Sequence, residues 1–304
     1  MPNNGTLGQI WKAIRQLNPA SITRESERKF NLALIGNTEE EISKMRSILL
    51  GPNFSAQDAE YAAQVIFAYR QPLDESQLRA IGGAGLILAA PDADAGISLP
   101  EKLVIFDLAD PAQTFASILS RPKGTELRLA LAKRFPALRQ EVSRRVIRDI
   151  SRENATFVIL TALGDVVPSI FQPILGITEA AGDTVFLTAN QVRMLFAIGA
   201  AYSERVGYTA QWKEISSIIG ASFGWRSLAR NLVSKIPFGG GLAPKGAIAY
   251  AGTFAVGEGA RFFYATGQRM TREEVGQLFK RMYDEAIAFA TAMVGKLRPG
   301  SRTE

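Results

Sequence analysis

The chain of 304 residues contains neither cysteine nor histidine. Without cysteine there are no disulfides, no thiolate metal ligands and no thiol nucleophile. Without histidine the usual general base near neutral pH is missing, together with the Ser-His-Asp and Cys-His arrangements and the commonest metal ligand. Chemistry based on Asp, Glu, Lys or Ser remains open, but the two absences argue against an enzyme.

The charge balance of the chain is basic, with a formal net charge of +6 and an isoelectric point near 9.6. Such a balance suits contact with an anionic membrane surface or with nucleic acid. The mean hydropathy is +0.04, and the long apolar stretches all lie after residue 155. The first 19 residues have no apolar core of signal-peptide length, so we expect a cytoplasmic protein.

The first 124 residues are predicted to form an α/β domain in which short apolar runs alternate with helices. The runs occupy residues 30–36, 64–69, 85–90 and 102–107, and the helical segments 39–49, 72–81 and 111–120. This alternation indicates a short parallel, doubly wound sheet covered on both faces. Ligands of such sheets bind beyond the carboxyl ends of the strands, here near Gly36, Pro91 and residues 107–110.

The turn after the first predicted strand lies where a phosphate-binding P-loop would lie. Aligned on Gly36, the pattern G-x-x-x-x-G-K-[ST] finds Glu41 in place of its second glycine and Ile42 in place of its lysine, while Ser43 is retained. The chain thus lacks the glycine that lets amides surround a phosphate and the lysine that balances its charge. Residues 39–41 are all glutamates, which suit the first turn of an ordinary helix. We expect a degenerate P-loop, no catalytic residues, no metal and no cofactor.

Four aspartates near the other strand ends are weaker candidates for ligand binding. Asp107 and Asp110 resemble part of a guanine-reading Asn-Lys-x-Asp turn, but the Asn and Lys are absent, so turn and capping roles are favoured. Asp92 and Asp94 share a loop in which solvation is favoured over a weak cation site. The candidate nucleotide-binding positions are therefore Gly36, Ser43 and Asp110.

Residues 125–304 are predicted to form a helical domain that opens with a basic helix, residues 125–154, interrupted at Pro136. Four arginines of this helix form a stripe that runs toward the first long apolar segment. They are Arg144, Arg145, Arg148 and Arg152. The stripe is either a solvated face paired with neighbouring carboxylates or a contact for anionic lipid or a partner. Nucleic acid is not expected, because no aromatic residues interleave with the arginines.

The rest of the helical domain is apolar and rich in small residues. Residues 156–177 carry a single charge, Asp165, and suggest a helical hairpin, while residues 183–202 suggest a further helix. Residues 237–246 suggest a glycine-rich turn. Small residues then recur every four positions in the next helix, at Ala247, Ala251, Ala255 and Gly259, a pattern that permits close helix packing. Residues 271–274 form a capping box that opens the last helix.

Several motifs resemble those of a known family. They are Phe135–Arg139, Arg144–Ile147, Gly224–Arg230, Lys235–Pro237 and Lys245–Thr253, with residues 11–28 and 30–36 near the N-terminus. Together they resemble the YcjF-type domain of unknown function, a helical domain found beside Era-like GTPase domains in bacteria. The resemblance implies a GTPase-linked, often membrane-associated protein without an assigned reaction. No catalytic residue carries over, because Glu41 and Ile42 depart from the GTPase pattern.

Three hypotheses of function follow. The leading one is a non-catalytic pseudo-GTPase scaffold or adaptor, cytoplasmic or associated with the inner membrane. Its helical domain would bind a membrane surface, a protein partner or a second copy. The second is a membrane-inserted component with apolar helical hairpins, against which the charges Asp165, Arg193, Lys245 and Glu258 argue. The third is a residual GTP-binding switch with non-standard phosphate contacts.

Overall fold

A computed structural model describes residues 4–94, 96–163, 183–218 and 241–297 of the chain. Contacts between residues divide the chain into two compact units. The sheet unit comprises Ser21–Ser143 and Ala200–Glu204, and the helical unit comprises Met1–Ala20, Arg144–Gly199 and Arg205–Glu304. The domain boundary at residue 124 remains a prediction.

The elements follow one another along the chain as a mixed α/β half and an all-helical half. The strands are β1 Leu32–Gly36, β2 Ile66–Arg70, β3 Leu86–Ala89 and β4 Leu103–Ile105. The helices are α1 Asn4–Gln16, α2 Pro19–Ser26, α3 Glu39–Leu50, α4 Ala56–Ala63, α5 Glu75–Gly82, α6 Pro111–Ser120, α7 Pro122–Glu126, α8 Arg128–Arg134, α9 Pro136–Ala162, α10 Asp183–Ala201, α11 Leu242–Thr266 and α12 Arg272–Leu297.

The sheet is entirely parallel, with strand order β2-β1-β3-β4. All four strands predicted from apolar runs are confirmed, as is the general architecture of a small parallel sheet with helices followed by a helical half. The central strands β1 and β3 are buried along their whole length, which explains why their sequences are continuously apolar. Parallel order brings the carboxyl ends of all four strands to one edge of the sheet.

Side-chain caps fix where several helices of the sheet unit begin. Thr38, Ser55 and Asp74 each form a capping box at the start of α3, α4 and α5. Asp110 caps α6, whose first residue is Pro111. Helix α4 was not predicted, although its capping box is readable in the sequence as Ser-x-x-Asp.

Two predictions of helix extent are wrong. The segment predicted as one helix over residues 125–154 is divided into α7, α8 and α9, and α9 continues to Ala162. Pro136 does interrupt the segment, because it begins α9. Residues 242–246 of the predicted glycine-rich turn are helical, because α11 begins at Leu242, and residues 237–240 lie outside the described residues. The hairpin predicted over residues 156–177 lies outside the described residues from residue 164 on.

Helices α9, α10, α11 and α12 form the core of the helical unit. Asn154 on α9 donates to Thr253 Oγ1 on α11 over 2.8 Å, and Asn190 on α10 donates to Asn154 Oδ1 over 2.9 Å. Buried amides and hydroxyls therefore connect three helices, which fixes their mutual register. One stretch of α10, Thr184–Ala201, is long and apolar enough to cross a bilayer, but 78% of it is buried inside the protein, as in a core helix.

Candidate functional site

The turn between β1 and α3 is built around the carboxylate of Glu41. This carboxylate accepts the backbone N–H of Asn37 over 2.7 Å and that of Thr38 over 3.4 Å. In return, Thr38 Oγ1 accepts the backbone N–H of Glu41 over 3.1 Å. Free amides at a helix N-terminus form an anion-binding site, helped by the helix dipole. Here a side chain of the same turn supplies the anion.

Gly36 and Ser43, the retained positions of the phosphate-loop pattern, have different surroundings. Gly36 is the buried last residue of β1, and a Cβ atom there would lie 2.8 Å from Ile42 Cγ1. The glycine therefore permits the close packing of Ile42, the residue that stands where the pattern has lysine. Ser43 lies exposed on α3. The turn keeps the glycine for a packing reason that requires no ligand.

Two further side chains connect the loops that follow β1, β2 and β3. Asn37 Nδ2 donates to the carbonyl oxygen of Pro91 over 3.1 Å. Gln71 Nε2 donates to the carbonyl oxygen of Ala93 over 2.8 Å, and its Oε1 accepts the N–H of Leu73 over 3.1 Å. The polar groups at this edge of the sheet are thus used in tying neighbouring loops together.

The carboxylates after β4 also have structural partners. Asp107 Oδ1 accepts the N–H groups of Ala109 over 2.8 Å and of Asp110 over 3.2 Å. Asp110 Oδ1 accepts the N–H of Gln113 over 3.0 Å at the start of α6. These are the turn and capping roles favoured for the pair, and both side chains remain exposed. Within the described parts of the chain, no group of three Asp, Glu, His or Cys residues is arranged to hold a metal ion.

The arginine stripe lies along the surface of α9. Arg144, Arg148 and Arg152 are exposed. The guanidinium carbon of Arg152 lies 6.0 Å from the ring centre of Phe289 on α12, the range of a cation–π contact. Phe289 in turn lies 6.2 Å from the ring of Tyr250 on α11.

The charges of the stripe also act on the hydroxyl of Tyr250. Burial raises the pKa of Tyr250, while the positive charges of Arg152 and Arg148 act to lower it. Three helices thus contribute to one surface of arginines and half-buried aromatic rings, to which Asp149 and Glu285 add negative charge. Oε2 of Glu153, a carboxylate beside the stripe, binds Arg193 and Asn190 on α10.

A stacked pair of tryptophans, missed by the sequence analysis, lies elsewhere on the helical unit. The rings of Trp11 and Trp212 lie 5.1 Å apart with an interplanar angle of 17°. Trp212 is 52% exposed, and exposed lysines, Lys12 and Lys213, follow the two tryptophans in sequence. Tyr208 helps to hold α1 here, because its hydroxyl donates to the carbonyl oxygens of Ile14 and Leu17. No local pattern could have linked residues 201 positions apart.

The small-residue row of α11 divides into two parts. Ala251 and Ala255 pack with Phe279 of α12, whereas Ala247 packs with Ile159 of α9 and with α12 alanines. Gly259 has no neighbour within 4 Å of an added Cβ, and it lines an apolar cavity of about 220 Å³. The alanines thus form a helix contact, while the glycine at the end of the row borders open space.

Comparison with known proteins gives no further assignment. No protein-family model matches the chain, and no curated protein or solved structure is significantly similar to it. The fold and the side-chain geometry are therefore the basis of the functional argument.

Proposed function

We propose that the chain is a non-catalytic, pseudo-GTPase-like scaffold that associates with anionic membrane surfaces through its helical unit. The observation that carries the first half of the proposal is the Glu41 carboxylate, which fills the anion position of the β1–α3 turn. A nucleotide phosphate would have to displace this carboxylate and then lie among three glutamates without a compensating lysine.

The second half rests on the surface chemistry of the helical unit. Arg144, Arg148 and Arg152 of the stripe are exposed residues. Tryptophan is favoured at the interface between lipid and water, where its ring has apolar surroundings and its N–H a polar partner. Exposed Trp212, stacked on Trp11, is suited to that environment. Cations and interfacial rings are the two features by which peripheral proteins bind anionic lipid.

Calorimetric titration of GTP and GDP with magnesium tests the first half. We expect no saturable binding by the wild type at millimolar nucleotide. Glu41→Ala removes the carboxylate from the turn, and Glu40→Ala is its matched control, because Glu40 pairs with Lys44 over 2.7 Å and not with the turn. Binding by Glu41→Ala alone would identify the carboxylate as the element that closes the site. Binding by the wild type would instead support the residual-switch hypothesis.

Sedimentation with lipid vesicles tests the second half. The wild type should bind vesicles that contain phosphatidylglycerol but not vesicles of phosphatidylcholine alone, and should be released by salt. Replacing Arg144, Arg148 and Arg152 by glutamine should weaken binding about a hundredfold, since each basic residue near an anionic surface contributes about 1 kcal/mol. A blue shift of tryptophan fluorescence on binding that is lost in Trp212→Phe would indicate that Trp212 enters the interface.

A matched triple variant controls for net charge. Lys44, Arg46 and Arg79 are exposed cations of the sheet unit, and their replacement by glutamine removes the same total charge. If this variant loses as much vesicle binding as the arginine variant, the stripe has no special role. Carbonate-resistant retention in the membrane fraction would favour the membrane-inserted hypothesis over the scaffold.

A further inference from the structure

The outer edge of the sheet at β2 is open to solvent. β2 is the last strand on its side of the sheet, and beyond Ile66 its residues are exposed or half-buried. Phe67 is 46% exposed, and Ala68 and Arg70 are exposed as well. Parallel sheets normally have both faces covered, and open strand edges pair readily with other strands. This edge is therefore a candidate interaction surface.

The hydrogen bonds to β1 define which groups of β2 face outward. Leu32 donates its N–H to the carbonyl of Val65 over 2.8 Å, and Gln71 donates its N–H to the carbonyl of Gly36 over 3.0 Å. In a parallel ladder only alternate residues of a strand bond to the same neighbour. Residues 65, 67, 69 and 71 therefore face β1.

The N–H and C=O groups of Ile66, Ala68 and Arg70 consequently face away from β1. Among the residues that the structure describes, no hydrogen bond reaches them. Neither proline nor lysine nor a bulge interrupts the strand, so the edge carries few of the devices that normally prevent pairing.

We infer that β2 pairs with β2 of a second copy of this chain, antiparallel about a twofold axis at Ala68. In this register Ala68 lies opposite Ala68 of the second copy, and Ile66 lies opposite Arg70. These are the outward-facing residues, so each pair exchanges two hydrogen bonds and the three pairs form six in all. The two four-stranded sheets become one sheet of eight strands.

The side chains of β2 suit this symmetric register. Phe67 of each copy lies opposite Tyr69 of the other, at the position where side chains approach most closely, and aromatic pairs stabilise such contacts. Arg70 lies opposite an isoleucine and about 13 Å along the strand from its own equivalent, farther than charges act through physiological salt.

The partner is a second copy because the contact is self-complementary. A twofold contact uses the same patch on both chains and closes after two, as most homodimers do. An unrelated strand could use the backbone groups of β2, but it would not require aromatic residues at both Phe67 and Tyr69. The pairing goes beyond the proposed function, and it does not depend on whether the chain binds nucleotide or lipid.

Cysteine cross-linking tests the register without background, because the chain has no cysteine. Ala68→Cys should form a disulfide-linked dimer under mild oxidation, since Cα atoms of such a pair lie about 5.5 Å apart. Ala80→Cys on α5 and Ile105→Cys on the opposite edge strand are exposed controls that should remain monomeric. Equal cross-linking at all three positions would overturn the inference.

A second cross-linking experiment distinguishes the twofold register from nonspecific contact. Phe67→Cys and Tyr69→Cys should each cross-link poorly alone, because neither residue lies opposite itself. A mixture of the two proteins should cross-link efficiently into a heterodimer of the two variants. Efficient cross-linking of either variant alone, with none gained on mixing, would overturn the proposed register.

Sedimentation equilibrium without cross-linking measures how strongly the wild type and two Ala68 variants dimerise. Ala68→Pro removes an N–H that faces away from β1, so the ladder within the sheet unit is preserved while two of the six intermolecular hydrogen bonds are lost. We expect the dimer to bind about tenfold more weakly or worse, while the melting temperature stays that of the wild type at concentrations where both proteins are monomeric. Ala68→Thr keeps the N–H and should dimerise like the wild type. A wild type that stays monomeric, or an Ala68→Pro variant that dimerises equally well, would overturn the inference.

Discussion

Two glycines of the same helix provide a test of the packing in the helical unit. A Cβ atom at Gly257 would lie 2.7 Å from Ile147 Cγ1 and 2.8 Å from Met194 Sδ. Ile147 is branched at Cβ and fully buried, so its side chain has little freedom to move away. A Cβ atom at Gly259, half a turn along α11, would meet nothing within 4 Å.

Replacement of each glycine by alanine should give different effects on stability. Alanine stabilises a helix interior by about 0.8–1 kcal/mol relative to glycine, and Gly259→Ala should show this gain. Gly257→Ala should show the same gain offset by an overpacking cost of about 1–3 kcal/mol. The free energy of unfolding of Gly257→Ala should therefore be lower than that of Gly259→Ala by about 1–3 kcal/mol, the overpacking cost alone.

Urea unfolding followed by tryptophan fluorescence measures the difference. Trp11 and Trp212 both belong to the helical unit, so the signal reports on the unit that is perturbed. Both variants should unfold with similar dependence on urea, which allows their midpoints to be compared directly. Equal stabilisation by both substitutions would refute the reasoning, because it would mean that α9 and α10 do not approach α11 at Gly257.

Two further predictions concern buried and exposed caps. Burial acts to raise the pKa of Asp58. The hydrogen bonds from Ser55 and the guanidinium of Arg139 together outweigh this effect, so the pKa lies below its usual value. A lowered folded-state pKa contributes stability above about pH 4 that is lost as the pH falls through that pKa. Asp58→Asn should therefore lower the free energy of unfolding by about 1–3 kcal/mol at pH 7, with the difference shrinking below pH 4 in urea titrations; a constant difference would contradict the assignment. Thr271→Ala removes the hydroxyl that accepts the N–H of Glu274 over 3.2 Å, and should cost about 1 kcal/mol and reduce hydrogen-exchange protection in the first turn of α12 only.

The strands were predictable because local sequence and tertiary environment agree there. β1 and β3 are buried on both faces, so their apolar runs carry the whole signal. The capping box at Thr271 was predictable for a similar reason, since its three hydrogen bonds all lie within four residues. The end of the basic helix was not predictable. The predicted last residue is Asn154, but α9 continues to Ala162, and the Asn154 amide is buried against Thr253, 99 positions along the chain.

For the candidate site, the sequence predicted which phosphate-loop residues are missing better than it predicted which side chains are in contact. The sequence predicts the loss of the phosphate-loop glycine and lysine, and it places glutamates at the start of α3. It does not reveal that Glu41 alone turns back to the amides while Glu40 pairs with Lys44. The stacking of Trp11 on Trp212 and the cation–π contact of Arg152 likewise depend on helix packing that no short pattern encodes.

The Glu41 carboxylate can also be described as a tethered competitor. A ligand held by a few covalent bonds has an effective concentration in the millimolar range or above, and dilution does not lower it. A dissolved anion must exceed that concentration before it occupies the turn for much of the time. If the proposed function is correct, the turn is occupied mainly by the chain's own carboxylate, and this occupancy does not depend on the protein's concentration. A switch needs a site whose occupancy varies, whereas a structural support benefits from one whose occupancy is constant.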